Sequence, residues 1–389
     1  MLSLSRWIVT GLVVLMALVV ARDPSAWFAS MTPQPHSTAP RPVQNVPAAH
    51  RETVVGGNQP APPREPPESE LLNAQALNAA AEYAQSHRSL ALIVSRHGYL
   101  VFERYWSGTR YDTAMESGAL ARMLTALAAG AAIAQRSIGW PDEPIGYVLP
   151  DLSQDPRGAI TVRNLLQLSS GLAPREDSQG SADIISAHLQ QPLAAKPGER
   201  WQDQSADAEV LAHVIARATH QRYAQFLSQA IWSRLGAADA SVWLDHEAGA
   251  AHVDRGFIAQ QGDWMRVGEL IAGNGRYQGE EILSPRWIPQ LLQPCAANGN
   301  YGSYIRLGAH DPPGRTSYAV ADTLILQGGG HRLWIIPSMQ LVILRTSERA
   351  DAGDWDDARI PNLIASSARD YVPPAARPGA DLRQLVPNH

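Results

Sequence analysis

Apolar and polar positions along the chain follow two different rhythms. The run LLNAQALNAAAEYAQSH, from Leu71 to His87, is rich in strong helix formers and predicts a helix. LALIVSRHGYLVFERYW then turns to β-branched and aromatic residues on either side of His97-Gly98, which predicts a hairpin. GALARMLTALAAGAAIAQ, from Gly118 to Gln135, is apolar nearly all round, as expected of a helix buried on every side. A short helix is predicted to begin over Leu165–Leu168 and to stop at Gly171. Amphipathic helices follow over Ala206–Thr219 and Tyr223–Leu235, the second ended by Gly236. Near the C-terminus, DTLILQ, HRLWIIP and QLVILRTS are separated by Gly328-Gly329-Gly330 and Pro337-Ser338, the pattern of an antiparallel meander. Helices in the middle with strands at both ends predict an α+β fold with an antiparallel sheet built from both ends of the domain, flanked by helices.

The flanks read differently. Arg6 precedes an unbroken apolar stretch from Trp7 to Ala21, closed by Arg22-Asp23-Pro24. A positive start and short apolar core predict a signal peptide over residues 1–21, with Val19-Val20-Ala21 as cleavage site. The segment is nearly long enough to span a bilayer, so an uncleaved membrane anchor stays open. Either route predicts export, to the periplasm or to the outer face of the inner membrane. Residues 22–68 are dominated by Pro, Ala, Gln, Ser and Thr and predict a disordered linker. The folded domain is expected over 69–372, followed by a flexible tail over 373–389.

Composition narrows the chemistry. The chain has 389 residues, 45% of them hydrophobic and 18% charged, enough apolar material for a sizeable core. Its net charge is -5 with no basic run, which argues against a nucleic-acid partner. The one cysteine, Cys295, excludes an internal disulfide and reads as a packed or half-exposed thiol. His213 and His220 lack companions at metal-ligand spacing, so neither a metal nor a cofactor is expected. Asp239 and Asp245 read as turn and capping residues, and there is no Gly-x-Ser-x-Gly elbow.

Several blocks occur in an order that carries more information: RYWSG, GWPDEPIGYVLPDL, ITVRNLLQLSSGL, KPGERW, FLSQAIWSRLGAADASVWLD, NGRYQGEEILSPRWI and GGGHRLWIIPSMQLVILRTS. From Leu71 to Tyr371 this order resembles the serine β-lactamase/penicillin-binding-protein superfamily, above all its class C β-lactamase-like esterases and 6-aminohexanoate-dimer hydrolases. The resemblance implies a β-lactamase/transpeptidase-like fold with a helical subdomain. It also implies acyl transfer by a Ser-x-x-Lys pair opening the buried helix. A Tyr or Ser on a second loop and a Gly-rich strand edge would assist it.

The residues at those positions depart from that pattern. With Thr125 and Gly130 fixing the register, the serine position is Ala119 and the lysine position is Arg122. A methyl group cannot attack a carbonyl, and a guanidinium stays protonated and cannot act as a base. In the second motif, Asp203 stands where the tyrosine should be and Ser205 replaces an asparagine. The third motif is Gly328-Gly329-Gly330, with His331 beyond it as an expected sheet-edge residue. Ser117 reads as an N-cap for the helix, since as a nucleophile it would have Leu120 in place of the lysine.

The resemblance therefore implies a degenerate site with no catalytic residue of the family mechanism. Its pocket would comprise Ser117, Ala119, Arg122, Asp203, Ser205, Gly328, Gly329, Gly330 and His331. Arg122 and Asp203, which take the places of two groups that converge on the serine, are expected to form an ion pair. Breaking such a pair would cost about 3–5 kcal/mol if it is buried. Three functions stay open. The first is a pseudo-hydrolase of the cell envelope that binds a small peptide, cell-wall fragment or amide or ester ligand. The others are an active amide or ester hydrolase with a non-standard nucleophile, and a structural envelope protein.

Overall fold

The structure, a computed structural model, describes residues 50–175, 183–310, 317–350 and 353–371. The expected leader or anchor, residues 22–49 of the linker, and the tail lie outside them. Along the chain come β1 (Arg51–Val54), α1 (Ala74–Ser86), β2 (Ser89–Arg96), β3 (Tyr99–Tyr105) and β4 (Ala114–Glu116). After a 3-10 turn over Gly118–Ala121 follow α2 (Arg122–Ala134), α3 (Val162–Leu166), α4 (Ile184–Leu189), α5 (Ala206–Thr219) and α6 (Tyr223–Leu227). Then come β5 (Ala240–Trp243), β6 (Phe257–Gln260), α7 (Asp263–Ala272), β7 (Arg276–Tyr277), β8 (Glu280–Glu281) and α8 (Trp287–Leu291). The chain closes with β9 (Arg306–Leu307), β10 (Leu324–Gly328), β11 (His331–Ile336), β12 (Leu341–Ser347) and α9 (Arg359–Ala365).

One sheet has the order β3-β2-β12-β11-β10-β9, its paired strands all antiparallel, so both ends of the domain build it. His97 and Gly98 both take positive φ in the β2–β3 turn, the geometry that matches strand twist. Alternate residues of the inner strands enter two separate cores. Ile93, Leu333, Ile335, Val342 and Leu344 join α2 and α7 on one face, while Leu92, Val94, Trp334, Leu341 and Ile343 join α1 and α9 on the other. Burial on both faces explains why these strands read as apolar runs rather than as alternating patterns. The fold is thus mixed α+β, with its main antiparallel sheet built from both ends of the domain and flanked by helices, as expected.

α2 is small-residue-rich for a packing reason. A Cβ on Gly130 would sit 2.3 Å from the Trp287 ring, whose Nε1 donates to the Ala126 carbonyl at 3.0 Å. Thr125 and Tyr223 share a hydrogen bond of 2.8 Å beside it.

Three boundaries differ from the sequence expectation. Residues 51–54, assigned to the linker, form β1 and pair with β5 in a second sheet of order β1-β5-β6-β4. An edge strand held by backbone bonds needs no long apolar run, and polar Arg51 and Glu52 conceal it. The chain stays tied beyond it, because buried Arg266 donates to the carbonyls of Gln59 and Pro60. α3 starts at Val162, earlier than expected, because Thr161 and Asn164 make a reciprocal capping box. The helix expected to reach Leu235 is α6 followed by a π-helical stretch, Ser228–Trp232. No helix among the described residues is long and apolar enough to cross a membrane.

Candidate functional site

The expected site is built where the 3-10 turn before α2 meets the end of β10. Ser117 is fully buried and caps nothing; its hydroxyl accepts from Trp264 Nε1 at 3.2 Å, which replaces the N-cap role expected of it. Ala119, half-buried, lies directly against Gly328. A Cβ at Gly328 would fall 2.4 Å from the Ala119 nitrogen, so only glycine permits this approach of two backbones. Gly329 and Gly330 make the β10–β11 turn, and the Gly330 carbonyl accepts from Arg345 at 2.8 Å.

Arg122 opens α2 and reaches two carboxylates. Its Nη1 donates to Asp203 Oδ1 at 2.5 Å, and its Nε donates to Asp254 Oδ1. The guanidinium is 12% exposed, Asp254 3% and Asp203 53%, so the inner partner is Asp254 and the outer one Asp203. Burial opposes charge on Arg122, but Asp254 and Asp203 outweigh it and hold the group above the ordinary arginine value. Burial likewise pushes Asp254 up, yet Arg122 and Arg255 overcome this and keep it below the usual carboxylate range. Arg255 Nε completes the array at 3.1 Å from Asp254.

Behind this array lies a second polar group. Buried Ser170 donates through its hydroxyl to Asp207 Oδ1 at 2.6 Å and through its backbone N–H to Oδ2 at 3.2 Å. Gln204 Nε2 adds a third bond at 3.0 Å. Burial still dominates, and the Asp207 carboxyl is pushed up to about 6. Tyr304, buried in the electrostatic range of Asp207, Arg122 and Asp254, has φ +55° and no hydrogen-bond partner for its hydroxyl among the described residues. A bulky residue with positive φ is a strained one. Trp201, on the same loop as Asp203, packs on Tyr301 with ring centroids 4.7 Å apart.

Of the residues singled out from the sequence, the structure gathers Ala119, Arg122, Asp203 and Gly328 at one place, with half-buried Ser205 just before α5. His331 is not an edge residue. It opens β11 between β10 and β12, is buried, and its Nδ1 accepts from the Ser347 backbone at 3.2 Å. Burial first, then Arg345, lowers its pKa to about 4, so the ring is neutral. Asp239 and Asp245 accept from the backbone N–H groups of Gly56 and of Ile184, His246 and Ala250. Cys295 is buried. Asp254, Asp207, Ser170 and Tyr304 were not singled out; nothing in their spacing signals that they converge.

Chemically, the array offers fixed charges and hydrogen-bond donors and acceptors. Position 119 carries no heteroatom, and the cation at 122 is permanently protonated. Among the described residues, no group of three or more His, Cys, Asp or Glu side chains is placed to hold a metal ion.

Residues 74–362 match the family described as Beta-lactamase. The chain is similar to a 6-aminohexanoate-dimer hydrolase of Paenarthrobacter ureafaciens, 24% identical over 223 residues, a match covering 52% of this chain and 56% of the relative. The match thus spans little more than half of that relative's length. Among solved structures, a protein of Bacillus anthracis named as a 6-aminohexanoate-dimer hydrolase superposes with a TM-score of 0.67 at 18% identity, covering 85% of this chain and 96% of its own. A penicillin-binding protein homologue from Caulobacter crescentus superposes with a TM-score of 0.58 at 14% identity, over 74% of this chain and 96% of its own. At such identities the superpositions establish the fold alone.

Proposed function

Because the chain belongs to the Beta-lactamase family, we propose that it is a catalytically silent member, one that binds a small peptide, cell-wall fragment, or amide or ester ligand without acylating itself. The observation that carries this reading is the pairing of a methyl group at position 119 with an arginine locked between two carboxylates at 122. Acyl transfer needs a nucleophile and a base that can take its proton. Ala119 offers no lone pair, and Arg122 is held more firmly protonated than a free arginine. Of the neighbouring hydroxyls, Ser170 donates to Asp207, Ser117 accepts from Trp264, and Tyr304, without a partner among the described residues, is held protonated by burial. What remains is a charged, half-open array suited to recognition, with Asp203 and Arg255 on its exposed side. The apolar N-terminal segment supports placing the protein outside the cytoplasm, in the periplasm or tethered to the inner membrane.

Intact-mass spectrometry after exposure to a penicillin, and separately to a fluorophosphonate, tests the reading. The expected result is an unchanged mass with both reagents. A stoichiometric adduct on any residue would overturn it and favour an active hydrolase with a non-standard nucleophile. Thermal shifts with cell-wall fragments then separate a binder, whose melting temperature rises, from a purely structural protein, whose does not.

A further inference from the structure

A second polar site opens along α5. A cavity of about 830 Å³ lies between α5, the start of α4 and the turn that follows β5, and its lining includes none of Ala119, Arg122, Asp203 or Asp254. Glu209, Ala212, His213, Ala216 and Arg217 all line it, and spacings of three and four residues put them on one face of α5. The two alanines leave the room; the other three supply the chemistry.

Glu209 is a buried carboxylate at the cavity floor. Its Oε2 meets His188 Nε2 at 2.6 Å and its Oε1 meets His252 Nδ1 at 3.3 Å, which leaves acceptor capacity for a donor from the cavity. Two turns further along the helix, Arg217 is exposed and has no ion pair or hydrogen bond among the described residues. His213 stands between them, also without a hydrogen-bond partner among the described residues, and burial with Arg217 beside it lowers its pKa, so it can donate or accept as a neutral ring. Among the other wall groups, Asp183 is bonded to Ser186, Asp245 to three backbone N–H groups and to His246, and Arg222 to Glu52, while exposed His220 stands at the rim.

A buried anion at the floor and an uncommitted cation at the mouth define a dipolar receptor. We propose that this cavity binds a short zwitterionic peptide, with its ammonium on Glu209 and its carboxylate on Arg217. The length follows from the helix. Eight residues at 1.5 Å separate the two Cα atoms by about 12 Å. A di- or tripeptide spans about 7–10 Å between its charged ends, and the arginine side chain covers the remainder.

Calorimetric titration with triglycine tests the site, with N-acetyltriglycine amide as the probe lacking both charges. Triglycine is expected to bind, the blocked peptide not, and Arg217→Ala to weaken triglycine about ten-fold or more. Arg217 is exposed and unpaired, so this variant is expected to keep its circular dichroism spectrum and melting temperature. Asp203→Ala, at the other site, should leave triglycine affinity unchanged, which separates this cavity from the Arg122 array. No binding up to about 10 mM, equal binding of the blocked peptide, or a loss with Asp203→Ala rather than Arg217→Ala would each overturn the proposal.

Discussion

Arg122 can be removed from either of its two partners, and the structure says the two removals are unequal. Asp254 is 3% exposed, so truncating Arg122 strands a buried carboxylate with only Arg255 beside it. Breaking a buried pair in this way costs about 3–5 kcal/mol. Asp203 is 53% exposed, and its bond to Arg122 is screened by water, so Asp203→Ala should cost about 1 kcal/mol or less. This differs from the sequence expectation, in which Asp203 was the sole partner and the full buried-pair cost fell on it. Arg122→Ala, Asp254→Ala and Asp203→Ala, with the two double variants, form paired cycles measurable by urea unfolding. The Arg122/Asp254 coupling should reach about 2–3 kcal/mol and the Arg122/Asp203 coupling should stay below about 1 kcal/mol. In a domain of this size, a loss of about 4 kcal/mol appears as a drop of roughly 5–8 °C in melting temperature. If Asp203→Ala proves as damaging as Asp254→Ala, the assignment of inner and outer partner is wrong.

Two further outcomes follow from the same geometry. Asp207 has its carboxyl raised to about 6 in the folded state, from an ordinary value near 4, so the folded protein takes up the proton first. Its charge therefore weighs against folding above pH 6, and that cost is relieved as pH falls from 6 towards 4. Asp207→Asn should abolish this pH dependence, removing about 1–3 kcal/mol of the stability difference between pH 4 and pH 8, as unfolding at the two pH values would show. Gly328→Ala should cost at least about 2 kcal/mol, because its methyl meets the Ala119 backbone at 2.4 Å. The control Gly98→Ala, with open space around its Cβ, should cost only about 1 kcal/mol for its positive φ, so equal melting temperatures would refute the close approach.

Much of this architecture was legible in the sequence because burial writes long signals. The Ala-rich run became α2, and the apolar runs near the C-terminus became β10, β11 and β12, since strands packed on both faces are mostly apolar. Where backbone bonds rather than side chains hold an element, the signal vanished. β1 hides within a Pro-rich stretch, and the three-residue β4 has no pattern to read. The site divided in the same way. Ala119 and Arg122 sit at fixed spacing at one helix start, so the resemblance, with Thr125 and Gly130 setting its register, located them. Asp254 reaches Arg122 from 132 positions away, and no local pattern records such a meeting. Asp207 lies in the first turn of α5, a common place for an acid, and nothing local announces that its side chain is fully enclosed with Ser170 and Gln204.

The placement of β12 bears on how the chain is made. It lies between β2 and β11, so a strand among the first to leave the ribosome waits for one among the last, residues 341–347, before either has its neighbour. Until then β2 presents an unmatched edge of main-chain groups, which a nascent chain must shield from other nascent chains. Premature termination before Leu341 would split the sheet through its middle rather than trim its rim. The sheet opened by β2 is thus closed only by residues 341–347, about 245 positions further along the chain.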